Sequence, residues 1–126
     1  MTVLDASALI AFLDPSDALH ADAVQHLLTL DPGRLLVSPI THAEILVGPS
    51  RAGTMGATQA ALGLLGVSEV GLPEDAAPRL AELRVTTGLK LPDCCVILAA
   101  HQSHCAVLTF DDRLSAAARD LDLLPR

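Results

Sequence analysis

Aromatic side chains are almost missing from this 126-residue chain, which has no Trp, no Tyr and two Phe. Their scarcity removes the stacking platforms on which single-strand binders and RNA-recognition modules lay bases. It also leaves the core to Leu, Val, Ile and Ala. Lysine is nearly as scarce: of the eight cationic residues seven are Arg, and Lys90 is the sole Lys. Against 15 acids this makes a formal net charge of −7, which excludes a protein that grips nucleic acid chiefly by releasing counterions. It does not exclude phosphate chemistry, because a bound divalent ion inverts the sign of an acidic pocket locally. No apolar run approaches the roughly 20 residues that span a bilayer. The N-terminus enters a strand-like Thr2-Val3-Leu4 with no basic segment or cleavage site. Three cysteines, two of them adjacent at Cys94 and Cys95, make no disulfide framework. These absences describe a cytoplasmic chain with reduced thiols and no membrane association.

What is present is 51% hydrophobic and 18% charged, the balance of a compact globular protein rather than a disordered one. The length suits a single domain, residues 1–126, with a sizeable core. Short apolar strands are expected at 2–4, 35–38 and 106–109, with weaker ones at 67–72 and 121–124. Helical patterns run over 6–13, 17–30, 40–47, 59–65, 73–86, 92–101 and 111–120. Asp31-Pro32-Gly33, Gly48-Pro49 and Gly88 are the expected stops, and Pro78 marks a late start or a kink. Strand and helix alternate, which predicts an α/β fold with a parallel sheet covered on both faces.

Four acids stand at equivalent places in that alternation: Asp5, Glu44, Asp93 and Asp111. Asp5 directly follows the first strand, and Asp111 follows Val107-Leu108. Glu44 lies about one and a half turns into the helix after the second strand. Asp93 opens an unusually apolar helix. Each alone is explained by the preference of carboxylates for helix N-termini, or, for Glu44, by a solvated helix face. Together they share the carboxyl edge of a parallel sheet, where such folds bind ligands. Clustered carboxylates repel unless a hard cation neutralises them, and Mg²⁺ and Mn²⁺ take oxygen ligands.

Other constellations are thinner. His101, His104 and Cys105 have a spacing that can set a histidine pair on one helical face, but zinc wants a fourth ligand. Cys94 has nothing nearby to lower its thiol pKa. Arg51, Arg84, Lys90 and Arg113 flank the acidic segments and would suit phosphate contact as well as plain surface charge. A haloacid-dehalogenase-like phosphatase would want a second Asp where Ser7 stands, and a receiver domain would want an acidic pair at the first strand end.

The segments Val3-Leu4-Asp5-Ala6-Ser7-Ala8-Leu9-Ile10, Ser38-Pro39-Ile40-Thr41-His42-Ala43-Glu44-Ile45, Leu91-Pro92-Asp93-Cys94-Cys95-Val96 and Val107-Leu108-Thr109-Phe110-Asp111 resemble, in order and along the whole chain, those of PIN domains, and most of all the VapC toxins of type II toxin–antitoxin systems. The resemblance implies a three-layer α/β/α sandwich with a central parallel sheet. It implies an Mg²⁺- or Mn²⁺-dependent endoribonuclease that leaves a 5′-phosphate and a 3′-hydroxyl. Asp5, Glu44, Asp93 and Asp111 match the acidic quartet, with Asp5, Asp93 and Asp111 as metal ligands. Ser7 and Thr109 match its supporting hydroxyls, and Asp112 is a spare acid beside the last. Cys94-Cys95 departs from the small or aliphatic residues usual there. RNA as substrate, a small cognate antitoxin and a homodimer are further implications. The alternatives are a PIN-like domain that binds RNA or protein without catalysis, and a metal-dependent phosphatase.

Overall fold

Strands in this chain are only three residues long, and their burial shows why so little suffices. The computed structural model describes residues 1–30 and 34–125. β1 (Thr2–Leu4) is buried at every position, and β2 (Leu35–Val37) and β4 (Ala106–Leu108) nearly so. β-branched and leucine side chains that find apolar cover on both faces make a strand without alternation. β3 (Val67–Glu69) is half-buried to exposed and takes the outer edge. The order is β3-β2-β1-β4, and every pairing is parallel. Thr2 is in register with Leu35 and Ala106, and Val3 with Leu36 and Val107.

The pleat sends alternate residues to two cores. Val3 and Val107 meet Cys94, Ile97, Ala100, Leu114 and Ala118 on one face. Leu4, Leu35, Val37 and Leu108 meet Leu9, Leu27, Ile45 and Leu62 on the other. Helices α5 (Ala76–Thr87), α6 (Leu91–Ser103) and α7 (Asp112–Asp120) cover the first face. Helices α1 (Ala6–Leu13), α2 (His20–Leu28), α3 (Pro39–Ala52) and α4 (Met55–Leu65) cover the second. The result is the expected three-layer α/β/α arrangement. Cys94 and Cys95 are buried in α6, filling core positions as small hydrophobes.

Several boundaries differ from the sequence expectation. α3 does not stop at Gly48-Pro49 but continues to Ala52. Pro49 stands inside the helix, which forgoes the bond that an N–H there would make to the carbonyl of Ile45. The stop comes at Gly53, in the left-handed region at φ +72°, with Thr54 N donating to Pro49 O at 2.8 Å. α4 correspondingly starts at Met55. α2 starts three residues later than expected because Asp14 and Asp17 turn their side chains onto Ser16 and Leu19 and hold a turn instead. Pro78 is the third residue of α5, where its N–H would have no helical partner, so it marks a late start and not a kink. Leu121–Leu124 form no strand. Leu123 N returns to Ala118 O as α7 ends, and Leu123 O accepts from Val107 N at 2.7 Å, so a single bond caps the β4 edge. The expected stop at Asp31-Pro32-Gly33 lies outside the described residues.

No helix among the described residues is long and apolar enough to cross a membrane.

Candidate active site

Asp5 leaves β1 at its carboxyl end and becomes the N-cap of α1, its Oδ1 accepting from Ala8 N at 2.9 Å. Asp5 is only 4% exposed, yet its carboxylate is well provided with donors. Ser7 Oγ lies 2.7 Å and 2.9 Å from its two oxygens. Thr109 Oγ1 donates to Oδ2. Both hydroxyls are fixed in turn, since Phe110 N donates to Ser7 Oγ at 3.0 Å and Asp111 N donates to Thr109 Oγ1 at 3.0 Å. The loops after β1 and β4 are thus stitched together around one carboxylate. Burial raises the Asp5 pKa, and the Asp111 charge adds to that. The bonds from Thr109, Ala8 and Ser7 pull the other way.

The other three acids arrive from separate elements. Asp111 caps α7, its Oδ1 accepting from Leu114 N at 2.9 Å. Asp93 stands in the first turn of α6 behind Pro92. Burial raises its pKa, Asp111 and Asp5 raise it further, and Lys90 and Arg113 lower it. Glu44 projects from α3 and is exposed. Its pKa is raised by partial burial and by the charges of Asp93 and Asp5. The start of α3 is pinned by the buried Ser38, whose Oγ accepts from Thr41 N at 3.1 Å and bonds Thr41 Oγ1 at 3.2 Å. Through these mutual charge effects Asp5, Glu44, Asp93 and Asp111 form one electrostatic cluster at the carboxyl edge of the sheet. A cleft of about 230 Å³ opens there, lined by Leu89, Lys90, Asp93, Asp111 and Arg113.

Asp112 is exposed, and none of the shifts at Asp5, Glu44 or Asp93 traces to it. The His101, His104 and Cys105 spacing does not form one helical face. α6 ends at Ser103, and His104 turns into the left-handed region at φ +52°, so Cys105 leaves in another direction. The Cys94 thiol is pushed up by burial and points at Leu89 O, 3.6 Å away. Sequence reasoning missed the Ser38–Thr41 pair that aims α3. The signal was there in Ser38-Pro39, a capping residue followed by a first-turn proline.

The donor set is hard oxygen throughout, which fits Mg²⁺ or Mn²⁺ and not a thiol- or imidazole-seeking ion. Among the described residues no three such side chains already stand close enough to enclose an ion. Beside the effect of burial, the charge of Asp111 raises the Asp5 pKa, those of Asp111 and Asp5 raise that of Asp93, and those of Asp93 and Asp5 raise that of Glu44. Glu44 and Asp111 are exposed.

A parallel α/β sheet with four acids near its carboxyl edge places them where open α/β folds bind their ligands. The family model for the PIN domain matches residues 2–120, and the chain belongs to that family. Among solved structures it is similar to a toxin–antitoxin complex from Klebsiella pneumoniae, at 26% identity and TM-score 0.75, covering 88% of this chain and 87% of that one. The fold is also that of Mycobacterium tuberculosis VapC20, described as a sarcin–ricin loop cleaving toxin, at 19% identity and TM-score 0.75, covering 93% and 95% of the two chains. Pyrobaculum aerophilum PAE2754 shares the fold at 23% identity and TM-score 0.60, covering 91% and 82%. No curated protein matches the chain.

Proposed function

We propose that this PIN domain is a divalent-metal-dependent endoribonuclease that acts, as one domain over residues 1–126, as the toxin of a toxin–antitoxin pair in the cytosol. The observation that carries the reading is the clustering of Asp5, Glu44, Asp93 and Asp111, each from a different element, beside a cleft with no nucleophile–base pair. Likeness to a toxin–antitoxin complex and to an RNA-cleaving toxin fold supports the class of substrate and a small antitoxin partner. A homodimer is part of the same proposal.

Asp5, Asp93 and Asp111 would hold Mg²⁺ or Mn²⁺, which supplies Lewis-acid charge neutralisation and a water of lowered pKa. Ser7 and Thr109 aim Asp5 and, with the Ala8 N–H, oppose the upward pull of burial on its pKa. Phosphodiester hydrolysis then needs an attacking water in line with the leaving oxygen. Glu44, exposed and on a separate helix, is free to orient that water. Asp112 stands by as a spare acid at the head of α7.

The test is cleavage of total cellular RNA by the wild type and by Asp5→Asn, each with Mg²⁺, Mn²⁺ or EDTA. Discrete fragments that require metal and disappear in the variant are expected. Asn caps a helix about as well as Asp, so the variant stays folded. Undiminished cleavage in EDTA or in Asp5→Asn would sink the proposal.

A further inference from the structure

An acidic protein that cleaves RNA has to hold a polyanion against its own charge, and with a net charge of −7 that attraction must be local. Four cations flank the acidic segments, and the structure separates them. Arg84 is occupied within its own helix end, donating to Gly88 O at 3.0 Å. Arg51 lies about two turns along α3 from Glu44, in a groove beside Leu46, Val47 and Met55 whose lining includes none of the four acids. Lys90 and Arg113 line the same cleft as Asp93 and Asp111. Lys90 is the N-cap of α6 and Arg113 belongs to the first turn of α7, so each is carried by the helix that carries an acid. Among the described residues neither side chain has a salt bridge or hydrogen bond of its own. Both are exposed, and both are close enough for their charge to be felt at Asp93.

Arg113 also lies between two hollows. On its far side a cavity of about 390 Å³ is lined by Thr86, Thr87, Leu89, Ala116, Ala117 and Asp120. Leu89 and Arg113 border both spaces. The second cavity holds no member of the acid quartet, and its volume falls in the range of small-ligand sites.

Resting on the ribonuclease reading, the geometry points to Lys90 and Arg113 as the phosphate-positioning residues of this site, with the adjoining Thr86–Ala116 cavity receiving the nucleotide next to the cleaved bond. Lys90 meets a phosphate as a point charge, while the planar guanidinium of Arg113 can take two phosphate oxygens at once. The chain of the substrate would cross the acids, pass Arg113 and drop its neighbouring nucleotide into the wider space. Neither cation handles the reacting atoms; they fix where the phosphate lies.

Binding of a fluorescent single-stranded RNA of mixed sequence to Asp5→Asn protein, across a salt series, tests the pair without cleavage. Lys90→Ala and Arg113→Ala in that background should each weaken binding roughly ten-fold or more and flatten the log K against log salt slope by about 0.7 per lost contact. Arg113→Lys should restore the slope but only part of the affinity. With active protein and a mapped RNA fragment, the same two substitutions should raise KM far more than they lower kcat. Ala116→Leu, exposed on α7, should raise KM with no change in salt slope, because it fills space without removing charge. An unchanged slope in both alanine variants overturns the phosphate pair, and an unchanged KM in Ala116→Leu overturns the subsite. A wild type that binds RNA through the pair yet never cleaves would overturn the ribonuclease reading and leave the pair standing.

Discussion

Asp5 and Glu44 are members of one acidic cluster, yet the protein treats them in opposite ways. Asp5 is 4% exposed and takes hydrogen bonds from Ser7, Ala8 and Thr109. Glu44 is exposed on α3 and makes no side-chain hydrogen bond among the described residues. Asp5 is therefore part of the fold's own bonding, tying the end of β1 to the loop after β4. Glu44 is held near the cluster only by where α3 begins. One part of the cluster is thus fixed by the chain's own hydrogen bonds, while Glu44 has none to fix it.

The comparison breaks most sharply under truncation. Asp5→Ala and Glu44→Ala should both reduce RNA cleavage by more than roughly a hundred-fold, beyond the usual loss for a supporting group. Their stabilities should part: Asp5→Ala costs about 2–3 kcal/mol through the lost cap and stranded donors, while Glu44→Ala stays within about 0.5 kcal/mol. Urea unfolding of both variants measures this, and equal losses would show that the two acids are not held differently. Next in size, Thr109→Val should cut cleavage about 10–100-fold and stability by about 1–2 kcal/mol, with Thr109→Ser recovering most of each. A valine variant as active as the wild type would mean that the Thr109 hydroxyl does not position Asp5.

Metal and pH sharpen the same contrast. Asp5, Glu44 and Asp93 all have folded pKa values raised above 3.8 or 4.5. A carboxylate of this kind binds more protons folded than unfolded. Its stabilising effect is complete below the ordinary pKa and is lost as pH rises through the folded value. Metal-free protein should thus lose stability over that rise, and Mg²⁺ or Mn²⁺ should restore it near neutrality while doing little in acid. Melting curves with and without metal across pH check this; an equal metal effect at both ends, or one retained by Asp5→Asn, would contradict it. Smallest of all, Cys94→Ala should cost about 1 kcal/mol of stability, as a one-atom core deletion does, and leave cleavage intact. Lost cleavage in a folded Cys94→Ala protein would reopen the thiol as a chemical group.

Helices α5 and α6 show why some of this was legible beforehand and some was not. α6 is apolar from Cys94 to Ala100 and every one of those residues is buried, so its helix and its place against the sheet follow directly from composition. α5 has no buried residue, and while Gly88 marks its end, its start rests on two prolines, of which Pro78 occupies the first turn. β3 was weak in sequence because it lies on the sheet edge, half-buried. The tail at 121–124 looked like a strand because it is apolar, but a left-handed Asp122 and the return of Leu123 to α7 use its backbone differently.

The sequence by itself determined the layers, the parallel sheet and the standing of four acids at strand ends and helix starts, because short doubly apolar strands and the acids beside them are local signals. The hydroxyls of Ser7 and Thr109 could be named there, too. Which of the four acids is locked and which is loose, which two of the flanking cations reach the cleft, and how His104 breaks its apparent motif were decided by tertiary structure alone. The reason is physical: hydrogen-bond saturation and charge–charge distance depend on elements about a hundred residues apart in the chain, and no local pattern encodes the angle at which they meet.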